Sequence, residues 1–204
     1  MEDSLSGKVR QRITKGKTGK IYFAKDFADM GNDELINKVL FRLEKNKILV
    51  RLSHGIYLRP VVDKQLGHLY PSPDKIAKAI AKRDNARILP TGSHAMNLLG
   101  LSTQVPMNVV YLTDGSPRKI HIGRRKITFK KTSPRNFEYR GKIIPLVVGA
   151  LKEIKKDNLN SEQLRQLWKV LTNSEEKKIL LNDANLAPTW IKKIILSLIN
   201  QPDE

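Results

Sequence analysis

The sequence predicts an α+β protein in which short helices and short strands follow one another along the chain. Three observations lead to this prediction. Apolar residues repeat with helical spacing in several segments, other segments alternate as half-buried strands do, and glycine or proline separates the segments. With 204 residues, of which 40% are hydrophobic and 28% charged, the chain can bury one large core or two small ones.

The first 63 residues predict three helices followed by a hairpin. In order, the predicted elements are a helix over 4–15, a strand at 21–23, a brief helix at about 25–30 that ends at Gly31, a longer helix from 32 or 33 to 45, and a hairpin of strands 48–52 and 56–59. In the longer helix, apolar residues recur three and four positions apart, at Leu35, Ile36, Val39, Leu40 and Leu43. This order is typical of a winged helix-turn-helix domain.

Residues 60–73 hold three prolines and a glycine, and they predict a linker between two domains. The elements predicted beyond it are a helix over 73–84, a strand at 87–89, a helix over 93–99, a strand at 108–113, a hairpin of strands 118–122 and 127–131, a helix over 143–154, and helical stripes over 164–199. The predicted organisation is therefore a winged helix-turn-helix over 1–63, a mixed α/β domain with a small sheet over 64–157, and a helical C-terminal extension over 158–204.

The net charge of +18 indicates a polyanionic partner, because each lysine or arginine placed at a phosphate releases condensed counterions. Residues 118–142 hold ten basic residues and one acidic residue, which is half of the excess. The predicted basic patch consists of Arg118, Lys119, Arg124, Arg125, Lys126, Lys130 and Lys131. Strand alternation places Ile120, Ile122, Ile127 and Phe129 on one side, and Lys119, His121, Lys126, Thr128 and Lys130 on the other. Such a face suits nucleic acid and an acidic protein equally, and the sequence leaves both open.

The third helix of the first domain is the predicted recognition helix. Its polar face presents Asn37, Lys38, Phe41, Arg42 and Lys45. Asn37 is the predicted base reader, and Lys38, Arg42 and Lys45 are the predicted phosphate contacts. In the hairpin, Arg51, His54 and Arg59 are predicted to reach the DNA backbone or minor groove, and Tyr57 is predicted to belong to the core.

No residue pattern indicates catalysis, a cofactor or a metal. The four histidines lie far apart, the chain has no cysteine, and Ser93 and His94 are adjacent and would diverge on a helix. Asp114 stands at a strand end without a nearby carboxylate for two-metal chemistry. Because no catalytic pattern is found, we expect a protein that is not an enzyme. No run of 18 apolar residues and no apolar leader is present, so we expect it to be cytoplasmic.

Three stretches carry a family resemblance. They are Leu43 to Tyr57, Ser72 to Asp84, and Pro90 to Gly115, the last followed by Ile122-Gly123 and Pro134-Arg135. The most specific run, from Gly92 to Pro106, reads G-S-H-A-M-N-L-L-G-L-S-T-Q-V-P. Over most of residues 5–155 the chain resembles the AbiEi-type antitoxins of type IV toxin–antitoxin systems. It departs from them in its acidic helix start, Asp33 and Glu34, and in the tail beyond about residue 157.

The resemblance implies a winged helix-turn-helix that binds operator DNA and represses its own operon, which serves abortive infection in phage defence. It also implies a second domain that counters a nucleotidyltransferase-like toxin without forming a stable complex with it. An operator with inverted repeats would require a homodimer. The alternative is a non-enzymatic basic module that binds RNA or an acidic protein partner.

Overall fold

The computed structural model describes residues 4–174 and 177–201, and its architecture is mixed α+β. The helices are α1 (Leu5–Lys15), α2 (Asp33–Lys45), α3 (Pro73–Arg83), α4 (Ser93–Leu98), α5 (Ile143–Ile154), α6 (Ser161–Thr172), α7 (Lys177–Ala184) and α8 (Thr189–Ile199). The strands are β1 (Ile21–Tyr22), β2 (Val50–Ser53), β3 (Ile56–Leu58), β4 (Val61–Asp63), β5 (Gly67–Leu69), β6 (Ile88–Thr91), β7 (Asn108–Thr113), β8 (Arg118–Ile122) and β9 (Arg125–Lys131). Short 3₁₀ helices lie at Ala24–Phe27, Pro134–Phe137 and Lys156–Asn158. No helix within the described ranges combines the length and the apolar character that a membrane crossing needs.

The chain divides into two compact units. The first comprises the described residues up to 85 together with 120–125, and the second comprises 86–119 together with the described residues from 126 onward. The predicted boundary after residue 63 therefore lies inside the first unit. The reason is that α3 belongs to that unit: the guanidinium of Arg83 lies 4.7 Å from the ring centre of Phe23, and Lys25 Nζ donates to the Arg83 carbonyl at 3.3 Å.

The first unit has a core built by α1, α2 and the strands that follow them. Side-chain caps begin both helices, because Ser4 accepts from the Gly7 N–H at 3.1 Å and Asn32 accepts from the Leu35 N–H at 2.9 Å. The buried core residues are Val9, Ile13, Tyr22, Phe27, Ile36, Val39, Leu40, Leu43, Leu49 and Tyr57. The prediction that Leu35 belongs to the buried face of α2 is wrong, because its side chain is 46% exposed. The residues of α2 that are buried are Ile36, Val39, Leu40 and Leu43.

A three-stranded antiparallel sheet, in the order β1–β3–β2, closes this core. Ile21 pairs with Leu58 and Val50 also pairs with Leu58, so β3 is the central strand. The register shifts between Arg51 and Ser53, which marks an irregularity next to the turn. The predicted brief helix at 25–30 is shorter than expected and is a 3₁₀ turn over Ala24–Phe27.

The predicted linker over 60–73 is also wrong, because most of it folds as a second hairpin. Strands β4 and β5 pair antiparallel, from Val61 opposite Leu69 to Asp63 opposite Gly67. The Asp63 carboxylate accepts the backbone N–H groups of Gln65 and Leu66, both at 2.8 Å, and these bonds close the turn. Local hydrogen bonding to an aspartate thus replaces the flexible segment that the prolines suggested.

A four-stranded sheet has the order β6–β7–β9–β8. Strands β6 and β7 are antiparallel, whereas β7 and β9 are parallel, with Asn108 opposite Lys126 and Thr113 opposite Lys131. The prediction that Thr128 lies on the exposed face is wrong. Thr128 is only 8% exposed and is buried like its neighbours Ile127 and Phe129, so both faces of β9 are covered at this point.

Five helices of the second unit, α4 to α8, share one apolar core. Its buried residues are Ala95, Leu99, Ile144, Val147, Val148, Ala150, Leu151, Leu167, Leu171, Leu180, Ala184, Ala187, Ile191, Ile195 and Leu198. The helices predicted beyond residue 158 are thus part of this core. Gly149 lets α5 approach β6 closely, since a Cβ there would lie 3.1 Å from the Pro90 carbonyl oxygen.

Candidate nucleic-acid interface

Helix α2 presents a mixed polar and aromatic face opposite its buried stripe. Asn37, Lys38, Phe41, Arg42 and Lys45 are all exposed, as predicted from the periodicity. The ammonium of Lys45 lies 5.2 Å from the ring centre of Phe41, which is 44% exposed, so the two side chains form one surface feature. A cation on a helix flank with an aromatic ring beside it can contact a phosphate and the adjacent sugar.

The acidic start of α2 alters the charge of this face. Glu34 Oε1 lies 2.6 Å from Lys38 Nζ, so the predicted phosphate contact of Lys38 is already paired with a carboxylate one turn earlier. Both side chains are largely exposed, which makes the pair weak and exchangeable. Asp33 and Glu34 also stabilise the helix through its dipole, and this explains acidic residues at that position. Arg42 and Lys45 are therefore the main predicted phosphate contacts that α2 offers.

The hairpin of β2 and β3 contributes two side chains that hold each other. Arg51 Nη2 donates to His54 Nδ1 at 2.9 Å, and because a guanidinium can only donate, the proton of the neutral ring lies on Nε2. Both residues are exposed, and Gly55 forms the turn with a φ of +67°. Tyr57 is buried as predicted, and burial raises the pKa of its hydroxyl.

Arg59, the third predicted hairpin contact, points into the fold. Its Nη1 donates to the carbonyl of Ile13 at 3.1 Å and to the carbonyl of Gly16. Ile13 lies in the last turn of α1, where its carbonyl also accepts the Gly16 N–H at 3.1 Å, and Gly16 is the residue that follows the helix. Its backbone binds the same region, since the Gly19 N–H donates to the Arg59 carbonyl at 2.8 Å and the Arg59 N–H donates to the Lys20 carbonyl at 2.9 Å. Arg59 thus organises the segment after α1 and is not part of the candidate interface.

The predicted basic patch is divided between the two units. Lys119, Lys130 and Lys131 are exposed in the second unit, and Arg124 and Arg125 are exposed in the first. Lys126 is half-buried, and so is Arg118, whose guanidinium lies 5.8 Å from the ring centre of Phe129. Two of the seven predicted patch side chains are therefore partly covered.

The segment after α1 forms a second basic feature, which the sequence had not predicted as a site. Residues Gly16 to Ile21, with Lys75 and Ala79 of α3, line a cleft of about 580 Å³. Lys17, Lys20 and Lys75 are its cations, and all three are exposed. We call this feature the lysine cleft. The alternation of lysine and glycine in Lys15-Gly16-Lys17-Thr18-Gly19-Lys20 was the signal in the sequence, but Lys75 is distant along the chain.

The residues considered for catalysis have structural partners. Asp114 accepts from the backbone N–H and from Nε of Arg87, both at 2.7 Å, and this side-chain hydrogen bond holds the pKa of the carboxyl below its usual value. His94 is buried, and its ring meets that of Tyr111 edge to face at 5.3 Å. Within the described part of the chain, no three histidine, aspartate or glutamate side chains are grouped so that they could hold a metal ion.

A comparison with protein families matches residues 8–179 to the model of DUF6088, a family of unknown function. The chain belongs to the DUF6088 family. No curated protein matches the chain. The DUF6088 match includes α2, the hairpin of β2 and β3, and the lysine cleft, and it ends within α7, so that α8 lies outside it.

Proposed function

We propose that the first unit binds duplex DNA as a winged helix-turn-helix, with α2 in the major groove and the β2–β3 hairpin as the wing. The observation that carries this proposal is the sheet order β1–β3–β2. Strand β1 lies between α1 and the 3₁₀ turn, and it pairs with β3, so it adds a third strand to the hairpin that follows α2. This arrangement is characteristic of winged helices. The 3₁₀ turn at Ala24–Phe27 takes the place of the second helix.

The exposed cations supply the affinity in this proposal. Arg42 and Lys45 on α2 and Arg51 on β2 are exposed, and each would release counterions on contact with a phosphate. Asn37, nearer the N-terminus of the helix, would read a base edge, since its amide can bind adenine through two hydrogen bonds. His54 would offer its Nε2–H to the backbone from the wing tip.

The test is fluorescence anisotropy with the DNA upstream of the protein's own gene. Arg42→Ala should weaken binding roughly fivefold, as expected for the loss of one phosphate contact. Arg10→Ala is the matched control, because Arg10 is exposed on α1 and lies outside the proposed interface. Equal affinities for the two variants would contradict the assignment of α2 as the recognition helix.

We further propose, from the resemblance to AbiEi-type antitoxins, that DNA binding represses the protein's own operon in the cytoplasm. In this proposal the protein binds an inverted-repeat operator as a homodimer, and the second unit counters a nucleotidyltransferase-like toxin without a stable complex. Co-expression with a nucleotidyltransferase-like toxin tests it. Rescue should persist in Arg42→Ala when a foreign promoter drives expression, because repression is then bypassed. Loss of rescue in that variant would contradict a protective role that is independent of DNA binding.

The competing candidate is a basic module that binds RNA or an acidic protein, favoured by the concentration of charge in residues 118–142. The same anisotropy assay distinguishes it. A structured RNA that competes with operator DNA at equal concentration, with no preference for the operator over random duplex, would favour this candidate.

A further inference from the structure

The segment that lines the lysine cleft is held rigidly by the core. The backbone of Arg59 bonds to both Gly19 and Lys20, and its side chain bonds to the carbonyls of Ile13 and Gly16. Tyr22 closes the space on the inner side, because a Cβ on Gly16 would clash with its hydroxyl. The backbone between α1 and β1 is thus fixed in place, and Lys17, Thr18 and Lys20 project from it.

Gly19 makes room for the third lysine of the cleft. Its φ is +75°, a conformation that favours glycine, and a Cβ there would lie 3.6 Å from the Nζ of Lys75 and 3.4 Å from Cγ2 of Val61. The ammonium of Lys75, which comes from α3, therefore lies close over the glycine. The cleft is formed where the segment that Arg59 fixes meets a lysine that comes from a separate helix.

The electrostatics of the cleft favour an anion. Its lining includes three ammonium groups and no carboxylate. The carboxylate nearest in sequence, Asp74, pairs instead with Lys78 at 2.6 Å. Confined like charges repel one another, and an anion among them relieves that repulsion while it gains charge-assisted hydrogen bonds. The hydroxyl of Thr18 adds a neutral donor beside them.

We propose that the lysine cleft is a phosphate-binding site formed by Lys17, Lys20 and Lys75. The phosphate would come from the backbone of a nucleic acid or from a free phosphate-bearing small molecule. The cleft shares no residue with the proposed recognition helix or wing, so the proposal goes beyond that function and either one can fail while the other stands.

The experiment titrates pyrophosphate into the full-length protein by isothermal calorimetry. The site variant Lys17→Ala/Lys20→Ala/Lys75→Ala should bind it about tenfold more weakly or worse, as expected for the loss of charged hydrogen bonds. The control variant Lys8→Ala/Lys64→Ala/Lys82→Ala removes three exposed lysines of the same unit outside the cleft and should bind as the wild type does. Gly19→Asn keeps every charge, tolerates a positive φ and places a side chain in the cleft, so it should also weaken binding.

A second arm uses a random-sequence duplex in the anisotropy assay and identifies the source of the phosphate. Weaker duplex binding by the site variant than by the control variant identifies the nucleic-acid backbone. Unchanged duplex binding together with lost pyrophosphate binding identifies a free phosphate-bearing molecule. If the site and control variants behave alike toward both ligands, or if Gly19→Asn binds both as the wild type does, the cleft is not a phosphate site.

Discussion

Glu34 holds Lys38 across one turn of α2, with 2.6 Å between the carboxylate oxygen and the ammonium nitrogen. The pair stands on the face that we propose enters the major groove, so the carboxylate both repels phosphate and occupies a cation that could bind it. The acidic start of this helix therefore limits the affinity of the proposed interface, and removing the acid should strengthen it.

We expect Glu34→Gln to raise the affinity for any duplex about threefold at low salt, because Lys38 is released and one repulsive charge is lost. The measurement is anisotropy across a salt series, in which the gain should shrink as salt screens the charges. Glu162→Gln is the matched control, since Glu162 pairs with Arg165 at 3.7 Å on the exposed face of α6, outside both proposed sites. An equal gain in both variants would indicate general charge steering and not a contact made by α2.

Asn37→Ala and Arg42→Ala should differ in selectivity. The amide of Asn37 would bind a base edge, so its loss should cost roughly 1–3 kcal/mol on the operator and little on random DNA. The guanidinium of Arg42 would bind a phosphate, so its loss should weaken both duplexes alike. Paired titrations on the two duplexes measure the difference. Equal losses on both for the Asn37 variant would refute base reading by that residue.

Arg59→Met should destabilise the first unit by about 1–3 kcal/mol, because the Gly16 carbonyl loses its side-chain donor and the Ile13 carbonyl keeps only the Gly16 N–H, while the apolar stem is kept. Urea unfolding measures this. Arg51→Met provides the comparison, since Arg51 is exposed and should change stability by no more than about 0.5 kcal/mol. Should the two variants unfold at the same urea concentration, the structural role of Arg59 would be wrong.

The ion pair of Asp114 and Arg87 should make the second unit sensitive to acid. The hydrogen bond from Arg87 lowers the pKa of the folded Asp114 carboxyl, so its contribution to stability is complete above the unfolded value of about 3.9. It is lost as the pH falls from there through the folded pKa. The wild type should exceed Asp114→Asn in stability at pH 6, and the difference should vanish at the acid end. A difference that stays constant with pH would exclude this linkage.

The helices whose signals are local could be predicted from the sequence. For α2, a capping Asn32 and a stripe of apolar residues define its start and its buried face, and both signals lie within the helix. The bounds 118–122 for β8 and 143–154 for α5 also follow from short-range patterns. The exposed candidates Asn37, Arg42 and Lys45 follow from the same periodicity, because a buried stripe leaves the opposite face to solvent.

Only the tertiary structure decided which residues, far apart in the chain, contact one another. The sequence predicted Arg59 as a DNA contact of the hairpin, yet its guanidinium donates to carbonyls at the C-terminal end of α1, more than forty residues earlier. Thr128 alternates as a solvent-facing residue, yet it is buried because both faces of β9 are covered at residues 127–129. Lys75 joins the lysine cleft only because α3 packs beside the segment after α1. Periodicity and capping report the surroundings of a residue along its own element, whereas pairing and packing between distant segments depend on the balance of the whole core.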